Sequence, residues 1–179
     1  MKDFEKGWYV VYVRSRCEKK VHETLSEHNI ESFLPLVRKE RKWSDRKKVV
    51  LEPLFKSYVF VNPKCRKEFY RVQNICGVCF FINLGNTYLK ARDEEIERIK
   101  LLLNCEDVYQ IELTVTPPPA PGGIYEIGEG PLQGLKCEVL RADCRQKILV
   151  RLDTIKQSLL VTLPQSYLTM SRQAEPVLL

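Results

Sequence analysis

Much that would mark a catalyst is missing from this sequence. No glycine-rich loop precedes a helix in the way that cradles phosphate, and no pair of carboxylates is set apart for acid–base work. The two histidines, His22 and His28, lie six apart on a candidate helix, so they do not share a face as a metal pair would, and neither has an evident Ser or Cys partner. Seven cysteines form an odd set without dense spacing, which excludes a disulfide framework and favours reduced thiols packed as small apolar groups. Cys76-Gly77-Val78-Cys79 has no second paired cluster to complete a zinc site, and it enters a strand where a redox pair would open a helix. Neither an enzyme nor a bound metal or cofactor is expected.

Also absent are internal repeats and any apolar run near the roughly 18 residues that span a bilayer. Met1 to Lys6 carries no apolar stretch of the secretory kind, so a cytoplasmic protein with no membrane contact is expected. A monomer is expected as well.

What is present is unevenly distributed. Of 179 residues, 44% are hydrophobic and 29% charged, an ordinary balance for a chain with a core. The net charge of +6 is concentrated: Arg38, Lys39, Arg41, Lys42, Arg46, Lys47 and Lys48 face only Glu40 and Asp45. A cluster of that kind acts over a Debye length where dispersed charge does not. Thr116-Pro117-Pro118-Pro119-Ala120-Pro121-Gly122-Gly123 reads as a semi-rigid spacer released by glycine. It divides the chain into a first domain at 1–105, a Pro-rich linker at 106–122, a second domain at 123–170 and a tail at 171–179.

In the first domain, Trp8 to Val13 is a strand apolar on both faces. Ser15-Arg16-Cys17-Glu18 reads as a capping box opening a helix with Cys17, Val21 and Leu25 on its buried stripe. Phe33 to Val37 is a strand near an edge, because Pro35 cannot donate to a ladder. The basic segment turns at Ser44-Asp45, and Val49 to Leu51 runs back toward Pro53. In Phe55 to Val61, Tyr58 and Phe60 alternate against Val59 and Val61. A short helix over 66–73 and a hairpin at Gly85-Asn86 follow. Asp93-Glu94-Glu95 then opens a helix with Ile96, Ile99 and Leu103 as its apolar face. The order implies an α+β fold, an antiparallel sheet flanked by helices. The second domain has four short strand signals at 125–127, 137–140, 148–152 and 159–163, which suits a small all-β barrel.

Trp8-Tyr9-Val10-Val11 and Pro53-Leu54-Phe55-Lys56-Ser57-Tyr58-Val59-Phe60-Val61 resemble the N-terminal (NGN) domain of NusG-family transcription factors. Tyr125-Glu126-Ile127 with Gly130-Pro131-Leu132-Gln133-Gly134 resembles the SH3-like KOW domain that follows it in that family. The segment Trp43 to Lys48 is similar to antiterminators of polysaccharide operons, the UpxY-like group, to which RfaH is a more distant relative with the same layout. There are departures: Lys56-Ser57 stands where the family usually has Pro-Gly or Pro-Asn, Gly123 replaces an aspartate, and Cys137 a glycine. These imply an operon-specific paralogue; the alternatives are a general elongation factor and an RNA- or ribosome-binding KOW protein.

The resemblance implies docking on the clamp helices of the largest RNA polymerase subunit by Tyr12, Phe55, Tyr58, Phe60 and Phe81, although aromatic residues in strands are more often core. It implies a gate-loop contact by Glu68, Phe69, Tyr70 and Arg71, with Phe69 and Tyr70 alternatively helix core. Upstream or non-template DNA would be met by Arg14, Arg16, Lys20, Arg41, Lys42, Arg46 and Lys47, unless the charge run is an ordinary solvated hairpin. One family position that can be basic is Glu27 here, which argues against sequence-specific DNA reading. Leu132, Leu135 and Ile155 either close the barrel or present an apolar surface to the ribosomal protein NusE or to Rho.

Overall fold

The computed structural model describes residues 4–42, 47–84, 87–105, 110–114, 124–126, 133, 136–141, 145–152 and 157–164. The chain divides into two compact units, Met1–Ile96 and Glu97–Leu179, each considered by itself.

The first unit is built on β1 (Trp8–Val13), a run of aromatic and β-branched residues that favours extended backbone. After it come α1 (Glu18–Glu27), β2 (Glu31–Phe33), β3 (Leu36–Lys42), β4 (Lys47–Pro53) and β5 (Tyr58–Asn62). Then follow α2 (Arg66–Gln73), β6 (Val78–Phe81), β7 (Asn83–Leu84), β8 (Thr87–Tyr88) and β9 (Lys90–Ala91). The main sheet runs β2-β5-β1-β6, with β9 pairing the start of β1. The pairings of β1 with β5, β6 and β9, and of β2 with β5, are antiparallel. This is the expected α+β arrangement of antiparallel sheet and helices.

One sheet face carries the core. Tyr9, Val11 and Val13 of β1, Val59 and Val61 of β5 and Phe81 of β6 pack with Val21 and Leu25 of α1 and Phe69 and Val72 of α2. Phe69 stacks on Phe81 at 4.1 Å between ring centroids and 11° between planes. Gly77 has φ +99°, and a Cβ there would meet Val21 Cγ2 at 3.0 Å and Cys17 Cβ at 3.3 Å. The approach of α1 to the sheet therefore needs glycine at this point.

Local expectations fared unequally. The capping box over Ser15–Glu18 does not form: Cys17 is the N-cap, no side chain caps it, and Arg16 has φ +65°. The basic segment does form a hairpin, β3 against β4, in register from Leu36↔Pro53 to Lys42↔Lys47. The turn expected at Ser44-Asp45 lies outside the described residues, as does Gly85-Asn86 between the paired β7 and β8.

α3 (Asp93–Asn104) opens on a reach-back that does form, with the Arg92 N–H donating to Glu95 Oε2 at 3.0 Å. Its buried apolar residues are Ile96, Ile99 and Leu102, the last one position before the expected Leu103. In the second unit, β11 (Ile124–Glu126), β12 (Lys136–Arg141), β13 (Arg145–Leu152) and β14 (Gln157–Pro164) form an antiparallel meander. β10 (Gln110–Thr114) lies inside the linker expected at 106–122 and pairs with β14, so the second unit begins before the prolines. The proline run at 117–121 and the tail at 171–179 lie outside the described residues.

Candidate docking face and its basic rim

The face of the main sheet turned away from α1 and α2 is also apolar, and only part of it is buried. Trp8, Val10 and Phe60 are covered. Beyond them a row of aromatic rings crosses three strands, because the ladder sets Tyr12 directly opposite Tyr58 on one side and Phe80 on the other. The Tyr12 and Phe80 rings stack at 5.2 Å and 14°, and Tyr58 meets Tyr12 edge-on at 5.7 Å and 77°. Phe80 is 53% exposed, and the two tyrosines are half-buried. Rings at these separations gain from each other as well as from burial.

Phe80 enters the row through an irregularity. Val78 pairs with Val13 but Phe80 pairs with Tyr12, so Cys79 is an extra residue in β6. Such a bulge breaks the alternation of faces. It sends Phe80 outward and turns Phe81, 3% exposed, into the core. The expectation that Phe81 lies in the exposed patch is corrected accordingly. Phe55 and Phe60 are likewise not surface residues: both are about 1% exposed, their rings 5.6 Å apart, with Phe60 also 6.1 Å from Phe33. Phe60, two residues from Tyr58 along β5, lies on the same face beside the row. Of the five residues expected to dock, Tyr12 and Tyr58 are at the surface, and Phe80 was missed.

At the end of β1 the chain turns through Arg14 and Arg16, both exposed, into α1, where Lys20 is exposed as well. Two backbone bonds hold this corner: the Val13 N–H donates to the Ser57 carbonyl at 2.9 Å, and the Arg14 N–H to the Gly77 carbonyl at 2.8 Å. Three loops thus meet beside the aromatic row. Lys56, exposed in one of them, adds a further positive charge to this corner.

The backbone of Arg41, Lys42 and Lys47 lies in the hairpin, with Arg41 opposite Lys48 and Lys42 opposite Lys47. Arg46 lies outside the described residues, as do Leu132, Leu135 and Ile155. Nearer the hairpin base, Val49 and Leu51 are exposed.

The residues expected at a gate loop separate on α2. Phe69 is core, ringed by Phe4, Tyr9, Phe81 and Tyr88, so it is corrected from contact residue to packing residue. Glu68 is half-buried and accepts the Lys64 N–H at 2.7 Å. Tyr70, 49% exposed, and Arg71 remain at the surface.

Two further expectations change. Cys65, Cys76 and Cys79 are exposed and not packed away, whereas Cys105 is buried. His22 does have a serine partner: its Nδ1 lies 2.8 Å from Ser32 Oγ, tying α1 to β2. Burial lowers the His22 pKa, and Glu23 partly offsets this. No cluster of three or more metal-ligating side chains occurs among the described residues, and no helix among them is long and apolar enough to cross a membrane.

A family model described as transcription termination factor nusG matches residues 6–100. A search of curated proteins gives no match. Among solved structures, one described as domain interaction in Thermotoga maritima NusG is similar, with 23% identity over 91% of this chain and 96% of that one, and a TM-score of 0.53. A crystal structure of an MjSpt4:Spt5 complex aligns at 15% identity over 93% of this chain and 99% of that one, with a TM-score of 0.31.

Proposed function

The chain belongs to the NusG family of transcription factors, and on that footing we propose that its first unit docks on RNA polymerase through the Tyr58–Tyr12–Phe80 row and suppresses pausing and termination. Members of this family are not enzymes, and the row suits binding alone. One observation carries the reading: a sheet face on which Trp8, Val10 and Phe60 are buried still presents the contiguous rings of Tyr58, Tyr12 and Phe80, with Phe80 53% exposed. Covering about 200 Å² of apolar ring surface is worth roughly 5 kcal/mol before the cost of association. The partner is the pair of clamp helices in the largest subunit, with Tyr70 and Arg71 of α2 directed to the gate loop.

Arg14, Arg16 and Lys20 contact the displaced strand beside the row, and the hairpin meets upstream duplex. The hairpin register supports this second contact. Two like-charged pairs, Arg41 with Lys48 and Lys42 with Lys47, stand directly across from each other. Positive residues clustered along the chain in this way add salt-dependent affinity for a polyanion. With clamp and DNA held together, the clamp opening that accompanies pausing costs the added interface energy. The second unit recruits NusE or Rho at raised effective concentration. The departures at Lys56-Ser57, Gly123 and Cys137 favour an operon-specific cytoplasmic antiterminator over the general factor.

The test is capture of RNA polymerase by the full chain. Tyr12→Ala with Tyr58→Ala should abolish capture, while charge reversal at Arg41 and Lys42 should spare capture and weaken retention on DNA-loaded polymerase. Unchanged capture by the tyrosine variant removes the docking reading. Loss through the charge reversal alone favours a nucleic-acid-binding protein instead.

A further inference from the structure

A buried carboxylate reaches the turn that precedes Tyr58. Glu18, the first residue of α1, is 6% exposed, and its Oε1 accepts the Ser57 N–H at 2.8 Å across 39 positions of sequence. Ser57 is the third residue of the turn Phe55–Tyr58, in which the Tyr58 N–H reaches the Phe55 carbonyl at 3.3 Å. Its φ is +63°. That left-handed conformation suits glycine or asparagine at the third position of a turn and penalises a serine Cβ. The turn therefore needs outside support, and both backbone groups of Ser57 receive it. Glu18 takes the N–H, and the carbonyl accepts from Val13 N–H at 2.9 Å. A carboxylate in the first turn of a helix is favoured by the helix dipole, and a charged acceptor strengthens the bond.

We propose that Glu18 is a positioning residue for polymerase docking, holding the left-handed turn at Ser57 so that Tyr58 meets Tyr12 across the sheet. This inference rests on the docking reading above. Glu18 itself touches no partner. It also joins the Arg14–Arg16 corner to the start of β5, so the basic rim and the aromatic row keep one relative placement. The Lys56-Ser57 departure has its physical counterpart here: where glycine would hold the turn by itself, serine depends on the carboxylate.

That dependence gives a sharp test. Affinity of the full chain for core RNA polymerase is measured for wild type, Glu18→Ala, Ser57→Gly and the double variant, together with thermal unfolding and the nuclear Overhauser contact between the Tyr12 and Tyr58 rings. Glu18→Ala should weaken binding about tenfold and lose the ring contact. Ser57→Gly should bind as wild type, and the double variant should recover both signals. Should Glu18→Ala fail to fold, Glu18→Gln, which keeps an acceptor but not the charge, should lose about threefold. Wild-type affinity in every Glu18 variant that folds, or a folded double variant that stays weak, overturns the inference while leaving docking intact. No binding by wild type itself overturns the docking reading instead, and the ring contact then reports on Glu18 separately.

Discussion

The two faces of the first sheet are made of the same kinds of residue, yet one is covered throughout and the other only in part. On one, Tyr9, Val11, Val13, Val59, Val61 and Phe81 are sealed beneath α1 and α2. On the other, Tyr12, Tyr58 and Phe80 form an aromatic row still open to solvent. Hydrophobicity alone does not separate them. The difference lies in what covers each face, and a single inserted residue at Cys79 decides which of two adjacent phenylalanines goes to which side.

The largest expected effect breaks that comparison at its narrowest point. Phe81→Ala opens a cavity against Phe69 and Tyr9 and should cost about 3–5 kcal/mol of stability. Phe80→Ala, one residue earlier, should cost under about 1 kcal/mol yet weaken polymerase binding roughly tenfold or more. Denaturant unfolding paired with an affinity measurement checks both. Equal stability losses in the two variants would mean that the outer row is core after all.

A smaller effect concerns the rim. Replacing Arg14 and Arg16 with Gln should leave capture of free polymerase unchanged and lower affinity for DNA-loaded polymerase. The slope of log affinity against log salt should fall by about 1–2. A titration at several salt concentrations reads this directly. An unaltered slope would assign those arginines to solvent.

The smallest is a pH effect on the sealed face. Burial holds His22 below its ordinary pKa, so the unfolded chain binds that proton more readily than the folded one. The resulting stability is present above about pH 6.5 and fades as pH falls through that value toward the lower folded pKa. His22→Gln should therefore flatten the melting-temperature profile between roughly pH 7 and 5.5, by a modest amount because the ring is half exposed. Polymerase affinity at neutral pH should not change.

Much of the fold was legible because it is written locally. The Tyr58–Val61 alternation and the pairing of the two arms of the basic hairpin follow from the residue pattern, and each is where the residues imply. Strict alternation from Val78, which faces the core, puts Phe81 outside; the bulge at Cys79 reverses this, and a bulge leaves little local signature. Ser15-Arg16-Cys17-Glu18 has the composition of a capping box, but Glu18 is claimed by Ser57, a partner 39 residues away. The serine partner of His22 was missed for the same reason, since Ser32 comes alongside only when β2 joins the sheet. Strand β10 was hidden in a segment whose prolines advertise a spacer. In each case a contact distant in sequence overrode a plausible local reading.

The docking claim is tested most directly by placing p-benzoylphenylalanine at position 80 and irradiating the full chain with core RNA polymerase. A crosslink to the clamp helices of the largest subunit, abolished when Tyr12 and Tyr58 are alanine, is the expected result. Crosslinking from position 51 on the hairpin but none from position 80 would contradict it.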